Sequence, residues 1–150
     1  MRLFLPPALF LALLLPTALI PFMKLDVFRI IHKSGTPFWE AAICGLLGLV
    51  FLIGARIQFK NSGSEIMTFK TPKNLVTHGF FRVSRNPMYL GFLLLLVALA
   101  LAVNIWQALF APLIFFAVAH YWYTPCEEEA AEQAFGASYD QYKSKVRRWV

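Results

Sequence analysis

MYLGFLLLLVALALAVNIWQALFAPLIFFAVAHYWY, residues 88–123, contains no Asp, Glu, Lys or Arg over its 36 positions. As a single helix it would reach roughly 54 Å at about 1.5 Å per residue, whereas the hydrocarbon core of a bilayer is about 30 Å thick. The stretch must therefore double back. Asn104 lies near its midpoint and is the natural turn residue, and Pro112 is placed to kink the second leg. The two legs, 88–103 and 105–123, are each only just long enough to cross. They predict a tight helical hairpin that brings Tyr123 back to the side of Asn86.

Two further apolar runs precede the hairpin. Leu3–Met23 is uncharged for 21 residues. Only Arg2 precedes it and no small-x-small cleavage pattern follows, so it reads as a retained span rather than a signal peptide, irregular because of Pro6, Pro7, Pro16 and Pro21. The second run, 38–57, carries Glu40 and Arg56 near its ends, and Gly45 and Gly48 give it a flat patch suited to close helix packing. The expected architecture is all-α and integral to the membrane, one domain over 1–150, with spans near 3–23, 38–57, 88–103 and 105–123.

Composition agrees. Apolar residues make up 59% and charged residues 15%, against about 25% charged in soluble domains. The net charge of +6 does not indicate nucleic acid, because the basic residues flank the apolar runs instead of lining a helix face among aromatics. Lys60, Lys70, Lys73, Arg82 and Arg85 precede the hairpin, Lys143, Lys145, Arg147 and Arg148 follow it, and Arg2 opens the chain. With four spans all of these share one face, opposed only by Lys24, Arg29 and Lys33, so the positive-inside rule puts both termini in the cytoplasm. Cys44 and Cys126 fit no metal spacing and read as free thiols.

Beyond the hairpin, 124–150 changes character. Glu127, Glu128 and Glu129 open a strong helix former that Gly136 interrupts, and Tyr139, Tyr142 and Val146 follow at helical spacing. This predicts an amphipathic cytoplasmic tail, resting on the membrane or packed under the hairpin. Folding the hairpin back sets Arg85-Asn86-Pro87 beside Glu127-Glu128, although about 40 residues separate them. Taken singly these are ordinary features: basic anchors, a helix start with Asn before Pro, and acids at a helix N-terminus. Together they gather charge where an anionic membrane surface would repel glutamates, so the carboxylates are expected to meet a cation, either the arginines or a ligand.

The stretch Leu75–Gly91, containing His78-Gly79-Phe80-Phe81-Arg82-Val83-Ser84-Arg85-Asn86-Pro87-Met88-Tyr89-Leu90-Gly91, followed by Glu127-Glu128, Phe135-Gly136-x-x-Tyr139-x-x-Tyr142 and Val146-x-Arg148-Trp149, resembles the isoprenylcysteine carboxyl methyltransferase and phospholipid methyltransferase superfamily. Order and spacing are both kept over the C-terminal half. The departures are Asn86 for a usual His, Phe80 for a frequent Pro, Ala131 for Leu and Arg147 for Pro. The resemblance implies a bacterial-type member in the inner membrane that takes its methyl group from S-adenosylmethionine in a cytoplasmic pocket. It implies that His78, Gly79, Asn86, Pro87, Tyr89, Gly91, Glu127 and Glu128 bind this cofactor. Arg85, Glu128 and Arg148 would serve catalysis, and Tyr139, Tyr142 and Arg148 would face the acceptor, which is a lipid, a lipidated prenylcysteine-like carboxylate or a small hydrophobic molecule. Two other classes compete. A membrane sterol or fatty-chain reductase would use a nicotinamide cofactor and need several basic phosphate contacts. A small membrane assembly protein would merely pair its basic loop with its acidic tail.

Overall fold

In a computed structural model the described residues are 6–19, 38–63, 74–104 and 106–150. They form α1 (Pro6–Leu19), α2 (Phe38–Asn61), the single turn α3 (Phe80–Val83), α4 (Pro87–Val103), α5 (Phe110–Val118), α6 (Thr124–Phe135) and α7 (Ala137–Lys145). A 3-10 turn, Trp106–Leu109, leads into α5, and a π turn, Ala119–Tyr123, joins α5 to α6. Among the described residues there is no strand. The ends of the 3–23 run, the loop basic residues Lys70 and Lys73, and Lys24, Arg29 and Lys33 lie outside the described residues.

The long apolar stretch does turn at Asn104. That residue ends α4 in the left-handed conformation, φ 57°, with its N–H bonded to the carbonyl of Ala100. Asparagine tolerates this region better than any other residue with a Cβ, so the turn needs no glycine. Pro87 opens α4 at its first turn, where a missing N–H costs nothing.

The second leg differs from expectation. Instead of ending at Tyr123 before a separate tail, the helical path runs unbroken from Trp106 to Phe135, 30 residues. Pro125 explains the manner of the passage. It lacks an N–H and its ring crowds the carbonyl four residues back, which an α-helix does not absorb. The chain widens into the π turn just before it, with the Thr124 N–H reaching the Ala119 carbonyl. The buried row consequently shifts phase, from Phe115, Ala119 and Tyr123 to Thr124 and Glu128. Gly136, at φ 50°, then breaks the rod and starts α7.

α2 and α4 run antiparallel in the closest helix contact of the fold. A Cβ on Gly45 would stand 3.6 Å from that of Ala98, while Gly48 lies against the Gly91 carbonyl and Leu95. A Cβ on Gly91 would stand 2.7 Å from the Leu52 backbone nitrogen and 2.9 Å from the Gly48 carbonyl oxygen. Gly91 is therefore a packing residue in the helix crossing. α1 closes the other side through Phe10, whose ring lies 4.6 Å from Phe92 and 6.4 Å from Phe115.

Among the described residues nothing covers the opposite face of α2. Ile43, Leu46, Val50, Ile53 and Ile57 are exposed, and only 11% of its most apolar stretch is buried. A helix core in water would hide this surface; lipid does not require it to be hidden. Among the described residues two helices, Trp39–Asn61 and Trp106–Phe135, are long and apolar enough to cross a membrane.

Below the helices a second cluster of Ala55, Val76, Phe81, Tyr139, Tyr142 and Val146 packs α7 beneath the hairpin. The Tyr142 hydroxyl donates to the Phe81 carbonyl at 2.6 Å within it. Tyr142→Phe is expected to lower stability by about 1–3 kcal/mol, because it strands a buried carbonyl. Thermal unfolding in detergent, followed by circular dichroism, measures it.

Candidate functional site

Four segments converge at the mouth of the hairpin: the turn Ser84–Pro87, the start of α4, the first turns of α6, and the strap Val146–Trp149. The strap is laid against the turn by three bonds. The Arg85 N–H reaches the Arg147 carbonyl at 3.0 Å, and the Arg148 carbonyl accepts from Ser84 Oγ at 3.1 Å and Asn86 Nδ2 at 3.2 Å. Asn86 stands at the N-cap of α4 but its side chain makes no cap bond; it is committed to the strap.

Glu128 is the centre of charge, with its side chain 8% exposed. Arg148 grips it with two bonds, Nε to Oε1 at 3.1 Å and Nη2 to Oε2 at 2.5 Å, and Arg85 Nη2 approaches Oε1 at 3.2 Å. The hydrogen bond to the Glu128 carboxylate holds Arg148 charged and raises its pKa, against the opposing effect of burial. Arg85 is 10% exposed at its side chain, yet its Nε and Nη1 are buried with no partner. Thr124 Oγ1 is likewise buried and unpartnered. Unmade bonds of this kind, two of them on one buried guanidinium beside Glu128, mark a region suited to receive a ligand.

Beside this centre, Glu127 accepts from the Tyr89 hydroxyl at 2.6 Å. Tyr139 lies next to Arg85, and its hydroxyl is pushed up to about 12 by burial first and by the Glu128 charge second, with Arg85 opposing. Tyr142 is raised too, through burial. Both phenols keep their protons at any physiological pH.

The sequence-derived residues thus divide. Arg85, Asn86, Pro87, Tyr89, Glu127, Glu128, Tyr139 and Arg148 meet at the mouth. Tyr142 lies below, bonded to Phe81. His78 and Gly79 lie against the end of α2: Gln58 Nε2 donates to the His78 carbonyl, and Gln58 Oε1 accepts from the Phe80 N–H at 3.0 Å. There His78 borders an open cleft of about 630 Å³, between Gln58, Asn61 and Phe80. Gly79, at φ 58°, supplies a backbone conformation that leaves room for the Gln58 amide. Gly91 belongs to the helix crossing. Among the described residues no group of three or more His, Cys, Asp or Glu could hold a metal ion, and Cys44 and Cys126 are free.

Ser84 and His120 were not singled out from the sequence. Ser84 is fully buried and ties the turn to the strap. His120, in the π turn, accepts at Nδ1 from the Trp149 indole N–H at 3.0 Å. The signal for it was Pro125 inside a helical stretch, which requires an irregular turn just ahead.

Residues 37–138 match the family model described as phospholipid methyltransferase. The chain belongs to the phospholipid methyltransferase family. Most of the site lies within that match, from the loop before α3 to α6. An uncharacterized protein of Haemophilus influenzae is 40% identical over 63 residues, which are 42% of this chain and the whole of that protein. No solved structure matches. Membership of the phospholipid methyltransferase family makes the chain a membrane methyltransferase, and it does not favour the reductase or assembly-protein readings.

Proposed function

We propose that the chain takes a methyl group from S-adenosylmethionine and transfers it to a lipid, a lipidated carboxylate or a small hydrophobic acceptor. The observation that supports this reading is the charge cluster at the hairpin mouth, which carries both signs of charge and two unpartnered nitrogens on the buried Arg85 guanidinium. An amino-acid-like ligand presents an ammonium and a carboxylate, and the cluster offers a partner for each. Glu127, held at one oxygen by Tyr89, would receive the ammonium. The free donors of Arg85 would receive the carboxylate.

When bound, S-adenosylmethionine supplies an electrophilic methyl on a sulfonium. The chain's own task is positioning: displacement at methyl needs alignment and a dry site, and holding two reactants in attack geometry can supply roughly 7–11 kcal/mol. Glu128, fixed between Arg85 and Arg148, orders the polar wall. Asn86 and Pro87 set the turn that carries it, while Gly79 and Gly91 fix the helices on which it rests and His78 borders that support. Tyr139, Tyr142 and Arg148 would face the head of the acceptor. A carboxylate or thiolate is already nucleophilic; an amine would have to lose a proton, and a glutamate would be the candidate base.

The topology adopted has four spans, α1, α2, α4 and the rod beginning at Trp106, within a single domain over 1–150. The termini and the site then lie on the cytoplasmic side of a bacterial inner membrane, since Lys60, Arg82, Arg85, Lys143, Lys145, Arg147 and Arg148 gather there. The exposed apolar faces beside the mouth would let an acyl or prenyl tail enter from the side.

Calorimetry in detergent with S-adenosylmethionine tests the donor. Glu127→Gln is expected to weaken binding roughly 10- to 100-fold, as for one charge-assisted hydrogen bond. Wild-type protein that binds no donor, or Glu127→Gln and Arg85→Ala variants that bind it as wild type does, would overturn the assignment. Incubation of methyl-labelled donor with extracted native lipids and small thiols then shows which fraction takes the label.

A further inference from the structure

Arg148 is the most exposed of the three charges at the mouth, its side chain 28% exposed against 10% for Arg85 and 8% for Glu128. Its aim therefore depends on the backbone that carries it. Up to it, the strap is secured by buried Val146, by the Arg85 N–H on the Arg147 carbonyl, and by Ser84 Oγ and Asn86 Nδ2 on the Arg148 carbonyl. After it, the side chain that secures the strap is Trp149. Its indole N–H donates to His120 Nδ1 at 3.0 Å, and its ring packs 5.0 Å from Phe116 and 6.4 Å from His120. His120 itself stacks on Phe116 at 5.5 Å and 12°. This accepting role requires a neutral imidazole with its proton on Nε2.

The π turn is what makes the contact available. In an unbroken α-helix, positions 120, 124 and 128 would share one face at steps of four. The extra residue in the turn swings His120 out of the Thr124–Glu128 row by about 100°, toward the strap. The same irregularity that admits Pro125 thus separates the residue that holds the strap from the residue that the strap's arginine grips.

We propose that His120 is a positioning residue: through Trp149 it pins the strap, and through the strap it fixes Arg148 on Glu128. The consequence for methyl transfer rests on the donor site proposed above; the pin itself does not. His120→Phe keeps the stack and removes the acceptor, Trp149→Phe removes the donor, and His120→Asn restores an acceptor near the place of Nδ1.

Hydrogen exchange of the Arg85 amide, whose N–H is bonded to the strap, reads the pin directly. His120→Phe and Trp149→Phe are expected to speed that exchange about tenfold, the equivalent of one net hydrogen bond. His120→Asn is expected to return it to the wild-type rate. In calorimetry the first two variants are expected to weaken S-adenosylmethionine binding by a similar factor, and His120→Asn to restore it. Unchanged exchange in His120→Phe, or His120→Asn as fast as His120→Phe, overturns the pin and leaves His120 a packing residue. If His120→Phe does not fold, the comparison of Trp149→Phe with wild type decides by the same criterion. Altered exchange with no donor binding by wild-type protein overturns the donor site and upholds the pin.

Discussion

Glu128→Gln is expected to abolish measurable donor binding and to cost the protein stability near the lower end of about 3–5 kcal/mol. The carboxylate is buried, and it is the counter-charge to both Arg85 and Arg148. Glutamine keeps the shape and loses the charge, so two guanidiniums would face one another across a neutral amide. Arg148 can turn toward water because it is partly exposed, which places the loss toward the lower end of the range; Arg85 cannot. Adding Arg85→Met to Glu128→Gln removes the stranded cation and is expected to recover part of the stability without recovering binding. Denaturant unfolding in detergent and calorimetry separate the two effects. Full stability in the single variant would mean that these charges are solvated, contrary to their burial.

Gly91→Val is expected to disrupt the pairing of α2 with α4 and to abolish activity along with it. Even a single Cβ at this position meets backbone on the facing helix, the Leu52 nitrogen and the Gly48 carbonyl oxygen, where nothing can swing aside. Overpacking of this kind costs about 1–3 kcal/mol when side chains can adjust, and more where helices themselves must separate. Gly45→Ala is the control, since its Cβ would meet Ala98 at an ordinary 3.6 Å. Comparable melting of the Gly91→Val protein and wild type would show that the helices do not pack at this crossing.

The hairpin was legible because its length is a hard constraint: 36 uncharged residues do not fit one crossing, and Asn104 offers a turn. The meeting of Arg85 with Glu128 followed from the same geometry. The role of Arg148 was less legible. Its guanidinium lies on Glu128, and that contact across the strap depends on tertiary placement that no local spacing encodes. Gly91 shows the opposite difficulty. It sits inside a motif associated with the cofactor, yet its missing side chain is explained by Gly48 on another helix, and only a paired reading of both helices reveals that. The π turn was foreshadowed by Pro125, but the sequence does not say whether a proline will break a helix or widen it.

The 17 residues of α4 amount to about 26 Å of helix, a few ångström less than a typical hydrocarbon core. In the proposed four-span topology this would be a hydrophobic mismatch, which a bilayer meets by thinning locally at a modest cost per ångström. Thinning draws the headgroup layer inward around the hairpin. The mouth of the site then lies level with the polar heads of neighbouring lipids, so a methyl acceptor anchored in the leaflet need not be lifted out of it to react.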